Sequence, residues 1–219
     1  MNKYPVVHID HDFLFPYSGM VFDSSQIYYR DLFEDCRINN TYVVIWNTYD
    51  GKNNMATLAK VHNFEIRPNN EVLHHIIGIK KCRIIGEVED ELRPSVKVEE
   101  VYDSLKHESF NVRMYENVQK TLRNWISDEA PDLSLRKAHY DSSAADVSII
   151  INRIIDFVVK DQELKFIFMN THSLNEQLNL VGSFFKNNEK AEIDLVATEA
   201  IKSYYLTTPN DFIQRYVLS

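Results

Sequence analysis

Hydrophobic periodicity changes once along this chain of 219 residues, near residue 104, and that change constrains the fold more than any single motif. Before it, β-branched and aromatic runs ("TYVVIW", "MATLAKVHNFEI", "EVLHHIIGIKKCRII", "SVKVEEVY") alternate with turn-rich pieces. Asp50-Gly51 and Pro68-Asn69-Asn70 supply the backbone geometries that hairpins need, so residues 1–103 are expected to form an antiparallel, barrel-like sheet. One helix interrupts it, "QIYYRDLFEDC", with Ser24 or Ser25 as its cap and Ile27, Leu32, Phe33 and Cys36 as its apolar stripe. After residue 104 the period becomes helical. Met114, Val118, Leu122 and Trp125 share one face, as do Val147, Ile150, Ile151, Ile154 and Val158, with Pro131 closing the helix before the long connection between them. Ser173 and Glu176 have capping-box spacing ahead of Leu174, Leu178, Val181 and Phe185, and Thr208-Pro209 opens a last short helix. The class is α+β: a barrel over 1–103 followed by a helical bundle over 104–219.

At 44% hydrophobic and 12% aromatic residues, the chain can bury a sizeable core. Its net charge of -8 argues against a phosphate-neutralising surface, so nucleic acid is not an expected partner. Cys36 and Cys82 are far apart and form no metal or disulfide pattern; two reduced thiols are expected. The N-terminus lacks the apolar stretch of a signal peptide and no run approaches a membrane span. A soluble cytoplasmic protein without membrane partners is the expectation.

Catalytic motifs are missing where they would be sharpest. No glycine-rich phosphate loop, G-x-S-x-G elbow, H-E-x-x-H zinc pair or dinucleotide fingerprint is present, and no cofactor is expected. "HIDHD" at 8–12 is the best metal candidate. His8 with Asp10, and Asp10 with Asp12, are i, i+2 pairs that share a strand face, while His11 faces away and further ligands would have to come from elsewhere. A polar strand end, with no metal bound, is the preferred reading. Of the pair His74-His75, one imidazole is expected to be partly buried and satisfied and the other exposed, and "EVEDELRP" reads as a solvated loop. "FLFPYSGMVF" places Phe13, Phe15, Tyr17, Met20 and Phe22 around a Pro-Tyr-Ser-Gly turn, more apolar surface than one strand face can hide. Most of it should be core, with Tyr17 and Met20 left as candidate contacts to other polypeptides.

That stretch also carries a family resemblance. Pro5, then Leu14-Phe15-Pro16, then Tyr29-Arg30 fall as they do in the opening of the N-terminal substrate-binding domain of Lon proteases. "MATLAKVHNF" resembles a family strand through Ala56, Thr57, Ala59, Lys60 and Val61, and "IIGIKKCRII" resembles another through Gly78 and Arg83. The helical stretch from "DVSIIINRIIDFVV" to "GSFF" is similar too, so the likeness spans residues 5 to 187. Gln26-Ile27 stands where the family has an acidic residue and proline, and Ser24-Ser25 where it has Ile-Phe. The resemblance implies a PUA-like antiparallel β-barrel with one inserted helix, then a C-terminal α-helical bundle. It also implies a non-enzymatic protein that binds unfolded or exposed apolar polypeptide segments, as an adaptor or regulator that works with an ATP-dependent protease; the chain shows neither the ATPase nor the protease motifs of full-length Lon. The alternative is a small-molecule or metal-binding receptor or enzyme using the barrel mouth, with His8 and Asp10 as its polar groups. A third reading is a homo-oligomer formed through the C-terminal helices.

Overall fold

The computed structural model describes residues 3–10, 12–24, 26–51, 53–69, 71–88, 93–105, 109–118, 120, 148, 151–152, 155–156 and 159–187. The strands are β1 (Lys3–Ile9), β2 (Gly19–Asp23), β3 (Val43–Asn47), β4 (Met55–Ile66), β5 (Val72–Val88) and β6 (Ser95–Val101), with helix α1 (Ile27–Ile38) between β2 and β3. They form one sheet in the order β2-β5-β4-β3-β1-β6, and a further β5–β6 pairing closes β1, β3, β4, β5 and β6 into a ring. The expected barrel is therefore present, but it is not purely antiparallel. β1 and β3 run parallel, with Val6 opposite Val44 and His8 opposite Trp46. The physical reason is the connection between them. It passes through β2 and α1, long enough to bring the chain back in the same direction, which a tight hairpin cannot do. Both expected hairpin turns are found. Gly51 has φ 63° between β3 and β4, and Arg67 N–H donates to the Glu71 carbonyl at 2.9 Å between β4 and β5.

The apolar runs are continuous because both faces of the ring are covered. Val6, Val44, Leu58, Cys82, Val96 and Val98 fill the interior. Their neighbours Val7, Val43, Ile45 and Ala59 point outward beneath Leu32, Phe33 and Cys36 of α1. Of the expected stripe on α1, Leu32, Phe33 and Cys36 are packed, and the Ile27 side chain lies outside the described residues; of the two expected caps, Ser24 does not cap the helix and Ser25 lies outside the described residues. Gln26 holds the N-cap position without a side-chain hydrogen bond, while the Ser24 hydroxyl is drawn away to the Val72 carbonyl at 2.8 Å.

Against the other side of the ring pack α2 (Gln162–Asn170) and α3 (Leu174–Asn187), together with helical residues 112–118. Asp161 caps α2 by accepting from Leu164 N–H at 2.9 Å, and the Ser173 hydroxyl accepts from Glu176 N–H at 3.4 Å at the start of α3. A single cluster joins the two parts: Phe13, Phe15 and Met55 from the barrel side with Val118, Ile151, Ile155, Phe168, Leu178 and Val181. Leu122, Trp125, Pro131, Val147, Ile150, Ile154, Val158 and the Thr208-Pro209 helix start lie outside the described residues, as does the Phe185 side chain.

Candidate functional site

The "FLFPYSG" arm is threaded into the junction between barrel and helices. Phe13 and Phe15 are fully buried, and Thr57 Oγ1 donates to the Leu14 carbonyl at 2.5 Å. β5 passes beneath at Gly78, where a Cβ would stand 2.2 Å from the Phe15 carbonyl oxygen, so only glycine permits the approach. The arm then reverses. Ser18 N–H donates to the Phe15 carbonyl at 3.2 Å, the Ser18 hydroxyl bonds that same oxygen at 2.9 Å, and Tyr17 is held at φ 65°. Proline followed by a positive φ is type II turn geometry, whose third position suits glycine or asparagine. Tyrosine occupies it here, fixed by donation of its N–H to the Gly78 carbonyl at 2.7 Å.

Tyr17 stands at the rim of a cleft of about 150 Å³. The cleft exists because of the way strands share β5. β4 pairs along one edge from Val72 to Arg83, so β2 and β6 divide the other edge. Pairing with β2 runs through Leu73–Ile77 and its extension reaches Gly78, while pairing with β6 starts at Lys81, opposite Val101 at the end of β6, leaving Ile79 and Lys80 between them unpaired on that edge. The gap is walled by Pro16 and Tyr17 on the β2 side and by Val101, Tyr102 and Asp103 on the β6 side, with Ser148 and Asn152 contributed by the helical part. Its cations are already engaged. Lys80 Nζ is 3.0 Å from Glu100 Oε2, and buried Lys81 reaches Asp103 Oδ1 at 3.0 Å and the Thr171 carbonyl at 3.4 Å. Burial pushes the Lys81 pKa down, and the Asp103 carboxylate opposes that shift. Met20, the other candidate contact, lies on β2, half-buried against the core under α1.

The "HIDHD" set is pulled apart. His8 leans on the Trp46 ring at 5.0 Å, Asp10 is exposed, and Asp12 ion-pairs with the buried Lys165 Nζ of α2 at 2.6 Å. Among the described residues no group of three or more His, Cys, Asp or Glu side chains could hold a metal. Asp156 belongs to the same junction. Burial pushes its carboxyl up to about 7 and the Asp12 charge adds to that, against Lys165 and the Ser18 hydroxyl. His74 is fully buried and His75 intermediate, so both members of the pair are more buried than expected. The Ser24 Oγ to His74 Nδ1 distance of 2.6 Å has the form of a nucleophile and its base. Yet the serine proton goes to the Val72 carbonyl, which makes the imidazole the donor, and both side chains are sealed in the core. Their role is structural.

Sequence reasoning singled out Tyr17, which lines the cleft, and did not single out Lys165, Asp156, Lys81 or Tyr102. Lys165 had a readable signal: it shares a face of an apolar helix with Phe168 and Met169, and a lysine there requires a buried partner. Its partner, 153 residues away, had none.

No protein-family model matches the chain, and no curated protein matches it in sequence. Solved structures do. The Lon N-terminal domain protein from Xanthomonas campestris superposes with a TM-score of 0.60 at 14% identity, covering 82% of this chain and 96% of that one. The N-terminal domain of the Mycobacterium avium complex Lon protease superposes with a TM-score of 0.69 at 12% identity, covering 85% of this chain and all of that one. The chain has the fold of a Lon N-terminal domain. Within that fold, Thr57 and Gly78, two of the residues that carry the sequence resemblance, have an explanation in packing: they clasp the Leu14-Phe15 arm. Among the described residues no helix is long and apolar enough to cross a membrane.

Proposed function

We propose that this chain is a non-enzymatic polypeptide-binding protein that captures exposed apolar segments of other chains at the Tyr17 cleft. One observation carries the reading: Tyr17 occupies a backbone conformation that tyrosine rarely adopts, and the result is an aromatic ring presented at the rim of a cleft. A non-glycine residue at positive φ costs about 1–2 kcal/mol, and strain of this kind concentrates at sites of function. The size of the cleft supports a polypeptide over a cofactor. Small-molecule pockets run to about 300–1,000 Å³, whereas about 150 Å³ suits a single side chain. Tyr17 is the direct contact; Met20, on the neighbouring strand, offers its partly exposed side.

In this reading the chain divides into a barrel over residues 1–103 and a helical bundle over residues 104–219, and the second contributes Ser148 and Asn152 to the cleft. The protein acts in the cytoplasm as an adaptor or regulator, handing clients to an ATP-dependent protease, and self-association through the C-terminal helices would multiply weak contacts. The test is fluorescence anisotropy with a labelled, permanently unfolded polypeptide. Saturable binding that is weakened in Tyr17→Gly supports the proposal. No binding, or binding indifferent to that substitution, defeats it.

A further inference from the structure

We propose that Asp156 is a positioning residue for the Tyr17 turn: protonated, its carboxyl leaves the turn locked in the form that presents the ring, and ionised, it draws away a hydrogen bond of the turn and lets the ring retreat. The placing of the groups carries this. Asp156 and Asn152 are helical residues four apart, and Asn152 lines the cleft. The groups that act on Asp156 are Lys165 from α2 and Asp12 and Ser18 from the arm. The charged pair nearest to Asn152 in the cleft, Lys81 with Asp103, is neutral as a unit. Ser18 is buried and belongs to the turn itself. Its hydroxyl has a single proton and two places to send it. It donates to the Phe15 carbonyl at 2.9 Å and accepts from Phe15 N–H at 3.2 Å. A protonated Asp156 completes that set as a donor to the remaining lone pair. An ionised Asp156 only accepts, so it takes the Ser18 proton, and the Phe15 carbonyl keeps only the backbone bond from Ser18 N–H at 3.2 Å.

The charges drive the exchange. Lys165, buried in α2, already pairs with Asp12 at 2.6 Å, and Asp12 is fixed in place by accepting from Phe13 N–H at 2.8 Å. With Asp156 neutral the junction holds one cation and one anion; with Asp156 ionised, two carboxylates share one buried lysine. Burial, with the Asp12 charge adding to it, keeps the Asp156 carboxyl up at about 7, so the change falls near neutral pH, and the residue retains enough exposure for the proton to leave. Tyr17 is poised to respond. A positive φ at a non-glycine residue costs about as much as one hydrogen bond contributes, so losing one bond is enough to release it.

The consequence for clients rests on the polypeptide-binding reading, but the turn is read without a client. Amide exchange followed by NMR on the full chain, corrected for intrinsic rate, reports the Tyr17 and Ser18 N–H groups, which bond to the Gly78 and Phe15 carbonyls. From about pH 5.5 to about pH 8.5 their protection, relative to that of Val44 in the barrel, should fall about three- to tenfold in the parent. Asp156→Asn, whose amide still donates, should keep the low-pH protection throughout. Ser18→Ala should show the lower protection at every pH. Anisotropy with an unfolded client free of histidine should show affinity falling over the same range in the parent and staying constant in Asp156→Asn. A turn whose protection is independent of pH in the parent, or a fall that survives in either variant, overturns the positioning role. A turn that switches while no client binds at any pH upholds the switch and defeats the binding reading.

Discussion

Tyr17 and Gly78 occupy opposite ends of one hydrogen bond and make opposite demands on the backbone. Tyr17 has the positive φ that glycine tolerates, and Gly78 the close approach that only glycine allows. Replacing Tyr17 by glycine should therefore leave unfolding stability within about 1 kcal/mol of the parent, since relief of strain offsets lost packing, while client binding falls. A denaturant titration beside the binding assay checks this; a large stability loss would make Tyr17 a structural residue. Gly78→Ala should behave differently. Its Cβ meets the Phe15 backbone, which cannot swing aside like a flexible side chain, so a loss of about 2–3 kcal/mol is expected in the same titration. At this scale the sequence was partly legible. The Pro-Tyr-Ser-Gly turn and the burial of Phe13 and Phe15 follow from local chemistry. The use of Asp12 against Lys165 does not, because an ion pair between residues so far apart leaves no trace in either local pattern.

Among the elements, α1 shows how a local expectation yields to tertiary structure. Ser24 has the chemistry of a cap, but its hydroxyl is held between the Val72 carbonyl and His74 at the end of β2, and the helix begins past it with an uncapped Gln26. Gln26 has extended backbone angles that suit a capping residue, and α1 has no acidic residue in its first turn. Gln26→Ser or Gln26→Asp should accordingly stabilise the protein by about 0.5–1 kcal/mol, measured as a raised midpoint in denaturant; no change would mean that the first turn is held by tertiary contacts alone. The strands were the most readable elements, because runs such as Val43-Val44-Ile45 are buried on both faces and carry their own signal. Their direction was not readable. The parallel β1–β3 pair is a property of the intervening connection, and nothing within the two strands distinguishes it from an antiparallel pair.

For the whole molecule, the barrel arm and the helices share one apolar cluster, and Asp12–Lys165 and Lys81–Asp103 tie polar groups into the same junction. A titration sign follows from Asp156, whose folded carboxyl is raised to about 7. Between about pH 4 and 7 the folded chain keeps a proton that the unfolded chain has released, so this group makes stability fall as pH rises through that window. His74 and His62, both lowered by burial, act in the opposite sense, since stability is lost as pH drops below about 6.5. Comparing Asp156→Asn with the parent separates the two. The variant should melt higher than the parent at pH 8, and the gain should shrink toward zero near pH 4; a constant difference would remove the proton linkage. The shift of hydrophobic period near residue 104 coincides, among the described residues, with the step from the strands to helical residues 112–118, α2 and α3. The cleft was not legible in the sequence, because it arises where three distant segments, the Pro16-Tyr17 turn, Ile79–Lys81 and Val101–Asp103, fail to close the ladder. The most direct test of capture at that cleft is site-specific photocrosslinking to an unfolded client, with the photoreactive residue placed at Tyr102 or, as a control, at Ile38 on α1, which is also 66% exposed. Capture at the cleft predicts a strong crosslink from position 102 that excess unlabelled unfolded polypeptide competes away, and little from position 38; equal yields, or a dominant yield from position 38, would contradict it.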